Sequence, residues 1–239
     1  VRTPRAKGRP DGGLHAFAPE DLVALLIEEI ASRTGADLSS QVTRMVLGCV
    51  GQVGAQGGHM AHLAKARAGL LGDVATRTLN NYCVSGLSAI GDTSLAIRAG
   101  ETGLMLAGGV EMLSKVAFLA DAAPVYTDAE IARRLGWLAP ILGAELLASR
   151  KGFSKADLDA VTLRSHQRAA AAWSDGRYDT GVVAVRVKQD DTICARDEWI
   201  RDDLTLADLE RRRPAFRDLG RGAADEMMLA RHPDLDGIS

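Results

Sequence analysis

Aromatic side chains are scarce, at 4% of 239 residues, whereas glycine occurs 25 times. So few rings and so many glycines suit close-packed layers of helix and sheet better than a β-sandwich. No segment reaches the run of about 18 apolar residues that reads as a membrane-spanning helix. The basic start, Val1-Arg2-Thr3-Pro4-Arg5-Ala6-Lys7-Gly8, leads into no apolar signal core. Charge of one sign is missing too: the net value is −2 with Lys and Arg dispersed, so the footprint of a nucleic-acid binder is absent. Cysteines number only 3, odd and widely spaced, which argues against a disulfide scaffold and for a reducing compartment, the cytoplasm by default. Gly108-Gly109 lacks the surroundings of a phosphate loop. His59 and His62 stand three apart with no third ligand, so no metal is expected.

What is present is alternation. Residues 18–34 read as a helix: Pro19, Glu20 and Asp21 suit its first turn, Leu22, Leu25, Leu26 and Ile30 share a face, and Gly35 stops it. Residues 42–50 then read as a strand, 61–68 as a helix, 76–82 as a strand, 87–99 as a helix and 104–107 as a strand. Strands alternating with helices predict right-handed βαβ units and a mostly parallel sheet. From 116 to 147 the pattern becomes irregular around Pro124 and Pro140. Ser154-Lys155-Ala156-Asp157 then opens a helix through Trp173 with capping-box chemistry. No internal repeat is visible.

The stretch Asn80-Asn81-Tyr82-Cys83-Val84-Ser85-Gly86 places one cysteine in a tight turn between a strand and a helix start. Unpaired amides and the positive dipole end of a helix favour a thiolate there. Ser85 and Gly86 are small enough to let an acyl group approach. A lone cysteine is more often a buried structural residue. Cys49, in an apolar strand-like run, is read that way, and Cys194 matches no catalytic pattern.

The same stretch fits N-x-x-C-x-S-G, and in this the chain resembles the thiolase family, whose cysteine in that motif is acylated by an acyl-CoA. The likeness continues in order. It covers Val1-Arg2-Thr3-Pro4, Leu47-Gly48-Cys49-Val50 and Ala66-Arg67-Ala68-Gly69-Leu70 before the cysteine. After it come Ala107-Gly108-Gly109-Val110-Glu111-Met112-Leu113-Ser114, Leu163-Arg164-Ser165-His166-Gln167-Arg168-Ala169, Asp197-Glu198-Trp199-Ile200-Arg201 and Arg213-Pro214-Ala215-Phe216.

The resemblance implies an α/β thiolase fold, layered, with a mostly parallel mixed sheet, of which only the N-terminal half and loop domain are represented. Residues 1–115 would be the nucleophile-bearing domain, 116–221 the lid that holds coenzyme A, and 222–239 a segment leading toward a second half. That half should carry G-H-P-x-G, N-E-A-x-A and C-x-G motifs, and none occurs beyond the nucleophile segment. His232-Pro233 lacks flanking glycines and reads as surface. The chain is therefore expected to be part of a thiolase and inactive alone.

Cys83 would be the nucleophile, with its backbone amide an oxyanion donor. Ser85 and Gly86 would lie beneath the acyl group, and Arg201 would pack on the adenine of coenzyme A. Arg211, Arg212 and Arg213 read as a solvated helix face, and residues 138–145 depart from common thiolases. The implied reaction is acyl transfer between a cysteine thioester and CoA, as 3-ketoacyl-CoA thiolysis in β-oxidation or acetoacetyl-CoA formation. CoA and acyl-CoA would be substrates, with no covalently bound cofactor. The implied assembly is a homodimer or homotetramer, with neither nucleic acid nor membrane as partner. Two alternatives remain: a non-catalytic thiolase-like partner subunit or relic fragment, and a ketoacyl-synthase-like condensing enzyme.

Overall fold

From Pro19 to Thr34 the chain is helical (α1), with Pro19 in the first turn beside Glu20 and Asp21. The helix ends where Gly35 takes φ 67° and its N–H reaches the Ala31 carbonyl. Its buried residues are Pro19, Leu22, Val23, Ala24 and Ile27, so the face turned inward is rotated from the one predicted through Leu25, Leu26 and Ile30, which are half-buried. The computed structural model describes residues 1–70, 72–186, 192–213 and 230–235, and everything below concerns these.

A short helix, Leu38–Gln41 (α2), leads into the strand Val42–Gly48 (β1). Helix Met60–Arg67 (α3), strand Ala75–Leu79 (β2), helix Ser85–Arg98 (α4) and strand Leu104–Gly109 (β3) follow. The strands form a three-stranded sheet in the order β2-β1-β3, with β1 parallel to both neighbours. Met45 and Leu47 of β1, and Cys49 just after it, alternate into a core with Val23 and Ile27 of α1 and Met60, Ala61 and Ala64 of α3. On the other face Gly48 touches Ser85 of α4: a Cβ there would stand 2.5 Å from the Ser85 carbonyl carbon. The result is a layered α/β unit. The chain crosses the sheet one way through α3 and the other way through α4, which places these helices on opposite faces.

One compact unit comprises Val1–Ala122 together with Tyr178–Trp199. The returning segment is tied to the N-terminus. Val182 bridges Arg2, the Arg2 guanidinium lies over Tyr178, and Val185 is fully buried against Leu14, Leu22 and Met112. A small antiparallel pair, Val185–Arg186 (β4) and Ile193–Cys194 (β5), belongs to it. Asp197 accepts two bonds from the Arg2 guanidinium, at 2.7 and 3.0 Å, and a third from the Arg5 amide at 2.7 Å.

The second unit comprises Ala123–Arg177 and the described part of 200–239. Its opening stretch, read above as irregular, folds into the helices Pro124–Thr127 (α5), Ala129–Leu135 (α6) and Pro140–Lys151 (α7). Both prolines sit at helix starts, where the missing N–H costs nothing, so they punctuate helices rather than break them. Lys155–Ser174 (α8) begins on the capping box of Ser154 and Asp157. Leu206–Glu210 (α9) begins on a second one, Thr205 with Asp208. Pro214-Ala215-Phe216 and most of 222–239 lie outside the described residues.

Candidate active site

Strand β2 ends at Leu79, three residues earlier than predicted, because Asn80 starts a turn. The Asn80 Oδ1 accepts from the Tyr82 amide at 2.8 Å, an Asx-turn that takes over where the sheet ladder stops. Tyr82 then takes φ 50°, in the left-handed region that costs a side-chain-bearing residue roughly 1–2 kcal/mol. The turn stabilises itself against that cost. Val84 N–H donates to Asn81 O at 3.2 Å and Ser85 N–H to Tyr82 O at 3.0 Å. Asn81 Nδ2 donates to Ser88 Oγ at 2.9 Å.

Cys83 stands in this turn, exposed, two residues before the first residue of α4. Its amide takes no part in the turn's two backbone bonds, which use the Val84 and Ser85 N–H groups. Ser85 is buried, and its hydroxyl is committed to the turn, donating to Tyr82 O at 2.6 Å and accepting from the Asn81 amide at 2.8 Å. Gly86 is half-buried beside it. The small size of Ser85 thus has a second use, since it lets α4 close on Gly48.

The other cysteines differ in kind. Cys49 is buried, and burial, reinforced by the charge of Glu111, pushes its thiol up to about 11 despite a hydrogen bond from Gln56. Burial also raises Cys194, which is half-exposed near Glu198 and Asp197. His59 caps α3 at φ 77°, its Nδ1 accepting from the His62 amide and meeting Thr78 Oγ1 at 2.9 Å. Among the described residues no group of three or more His, Cys, Asp or Glu is placed to hold a metal. No described helix is long and apolar enough to cross a membrane.

Gln56, passed over in the sequence, and Glu111, named there within the 107–114 segment without a role, organise the carboxyl edge of the sheet. Gln56 is completely buried after β1, and its amide reaches in several directions. Its Nε2 donates to Gly51 O at 3.0 Å and to Glu111 Oε1 at 2.6 Å, while its Oε1 accepts from the Met112 amide. Glu111, just after β3, also accepts from the amides of Val50 at 2.8 Å and Gly51 at 3.3 Å. Asn80 Nδ2 lies 3.5 Å from Val50 O. A glutamine in a glycine-rich loop carries no local sign that it will be buried, so only the fold exposes this role. Glu111, Val110 and Met112 also line a cavity of about 540 Å³ with Leu14, Leu22 and Trp199, which does not include Cys83.

Arg201 belongs to the second unit, half-exposed, its amide donating to His166 Nδ1 of α8 at 3.2 Å. Of the neighbouring arginines, Arg211 pairs with Asp208 on an exposed surface. His232 is half-buried, and its carbonyl accepts from the Leu235 amide. The sequence-derived candidates therefore fall in two places: Cys83, Ser85 and Gly86 in one turn, and Arg201 elsewhere.

Fold and site together define a class, a layered α/β domain presenting an accessible cysteine at the carboxyl edge of a parallel sheet beside a helix start. The family model for the thiolase N-terminal domain matches residues 1–227, and the chain belongs to the thiolase family. It is 33% identical over 232 residues to the β-ketoadipyl-CoA thiolase of Pseudomonas putida, covering 90% of this chain and 58% of that protein. It is 32% identical over 239 residues to the 3-oxoadipyl-CoA/3-oxo-5,6-dehydrosuberyl-CoA thiolase of Escherichia coli K12, covering 92% and 59%. Against the 3-ketoacyl-CoA thiolase of Bacillus subtilis 168 the figures are 32% over 237 residues, 90% and 58%. The chain spans about 58% of the length of such relatives.

Proposed function

We propose that the chain supplies the nucleophile of a thiolase-type acyl transfer. The carrying observation is Cys83, an exposed thiol held in a self-bonded turn at the mouth of α4. Its Sγ, as thiolate, adds to an acyl-CoA carbonyl, the CoA thiolate leaves, and the acyl group remains as a thioester on Cys83. The Cys83 amide donates to the oxyanion of the tetrahedral intermediate. A CoA thiol then takes the acyl group back, or an acetyl-CoA carbanion takes it and forms a new carbon–carbon bond. Thiolysis of a 3-ketoacyl-CoA is the reverse of that second route. Since a cysteine thioester and a CoA thioester are close in energy, neither half-reaction is a trap.

Gly86 and the backbone of Ser85 flank the acyl group in this reading. The lid over coenzyme A, expected from the sequence at residues 116–221, is narrowed to residues 123–177 and 200–213, with the Arg201 guanidinium stacked on the adenine. The names of the relatives favour 3-ketoacyl-CoA substrates. The few, widely spaced cysteines support a reducing compartment, the cytoplasm, and the family resemblance supports a homo-oligomer.

A thiol nucleophile without its base loses most of its rate. Beyond the nucleophile segment the sequence has no G-H-P-x-G, so this 239-residue chain alone is expected to acylate negligibly. The test is intact-mass spectrometry after incubation with acetyl-CoA, with and without the C-terminal portion of a relative, beside Cys83→Ala. An adduct that needs the added portion and vanishes in the variant supports the proposal. An adduct that survives Cys83→Ala, or none under any condition, removes it.

A further inference from the structure

We infer that Gln56 and Glu111 are positioning residues for the Cys83 turn, acting through the loop after β1. The inference rests on the reading of Cys83 as the nucleophile and adds a device that its motif does not contain.

The carboxyl edge of the sheet carries three separate loops: 49–53 after β1, the Cys83 turn after β2 and 110–114 after β3. Gln56 and Glu111 join the first to the third. The Gln56 amide is the hub, since it is completely buried and uses both of its ends, holding Gly51 O and Glu111 by its nitrogen and the Met112 N–H by its oxygen. Glu111 closes the ring on the Val50 and Gly51 amides. The second of these fixes the Val50–Gly51 peptide from its N–H side, at Gly51. From its C=O side, Val50 meets Asn80 Nδ2, and the Oδ1 of the same Asn80 side chain holds the Tyr82 amide. The path from Glu111 to the residue before Cys83 is thus one peptide unit and one side-chain amide long. The Cys49 amide, bonded to Leu79 O at 3.0 Å, adds a second tie between the loop after β1 and the end of β2.

The arrangement has a physical purpose. Tyr82 sits at φ 50°, a conformation that persists only where its surroundings over-determine it. If the Val50 peptide loosens, Asn80 loses a reason to keep its rotamer, the Tyr82 amide loses its acceptor, and the turn relaxes toward an ordinary loop. The thiol would then leave the place that the turn gives it beside the start of α4.

Two variants separate positioning from mere stability. Glu111→Gln keeps size but turns an NH2 group toward amides that need an acceptor, and Gln56→Met keeps length without polar atoms. Glu101→Gln is the control, because Glu101 pairs with Arg44 at the opposite end of the strands, at 2.7–2.8 Å. For each purified chain, hydrogen exchange of the amides in residues 80–88 and the rate of native-state Cys83 alkylation are measured by peptide mapping. We expect both variants to speed exchange in that segment about tenfold and to slow Cys83 alkylation about threefold or more, with α1 amides little changed. The control should lower stability and leave both readouts alone. Exchange and alkylation at wild-type values in folded Glu111→Gln would overturn the inference. No acetyl adduct at Cys83 when the C-terminal portion of a relative is supplied would instead count against the nucleophile reading, while the exchange data would still decide positioning.

Discussion

Cys83 and Cys49 show how position rather than residue type sets chemistry. One is exposed in a turn, and the other is buried just after β1 with its thiol raised to about 11. At pH 8 a native-state alkylating reagent should therefore modify Cys83 and spare Cys49, as peptide mapping would show. Both labelled at equal rates would mean that the sheet opens. Asp197 is the corresponding case among the acids. Burial opposes its ionisation, but bonds from the Arg2 guanidinium and the Arg5 amide outweigh that and hold its carboxyl below the usual range. A depressed folded value means that its contribution is complete above the ordinary carboxylate pKa of about 4 and is lost as pH falls through the lower folded value. Asp197→Asn should cost about 2–3 kcal/mol at neutral pH. The gap to wild type should narrow in acid, measured by denaturant unfolding at pH 7 and pH 3. A constant gap would reject the ion-pair account.

At the scale of elements, α4 is decided by small residues. Ser85, Ala89 and Thr93 make its buried face, while Leu87, Ile90, Leu95 and Ile97 point away from the sheet. Gly48 permits that approach, since any Cβ would meet Ser85 at 2.5–2.6 Å. Gly48→Ala should destabilise the unit by about 1–3 kcal/mol and, by pushing the start of α4, reduce Cys83 reactivity. Thermal unfolding with Cys83 labelling in the same preparation checks both. In the second unit, Ser154→Ala removes half of a capping box and should cost about 1 kcal/mol. Helix starts such as Pro19-Glu20-Asp21 and Ser154-Lys155-Ala156-Asp157 were readable because caps are local. Helices α5 to α7 were not, because two prolines read as breakers when each occupies a first turn.

For the molecule as a whole, the outward apolar residues of α4 form an exposed apolar surface among the described residues. Leu87 is 69% exposed and Leu95 63%, and Tyr82 and Val84 extend the patch to the Cys83 turn. Apolar patches of this kind mark interaction surfaces or association liabilities. The isolated chain should bind a hydrophobic dye and sediment as concentration-dependent species. Leu87→Lys with Ile97→Lys should reduce both without loss of helicity. A wild-type chain that stays monomeric and dye-silent would show that the patch is inert.

The sequence by itself determined what is local or periodic: the alternation of strands and helices, the cysteine between β2 and α4, most helix caps, and the family, through short motifs in fixed order. Each depends on residues within one turn of one another, where backbone sterics and hydrogen bonding act directly. Tertiary structure alone decided which face of α1 and α4 turns inward, that residues 178–199 return to the N-terminal segment, and that Gln56 and Glu111 bind the loops above the sheet. A helix with apolar residues on more than one side has no preferred face until a sheet with glycine at the contact selects the small one. A polar side chain in a glycine-rich loop finds a partner 55 residues away in sequence only when β1 and β3 are paired side by side.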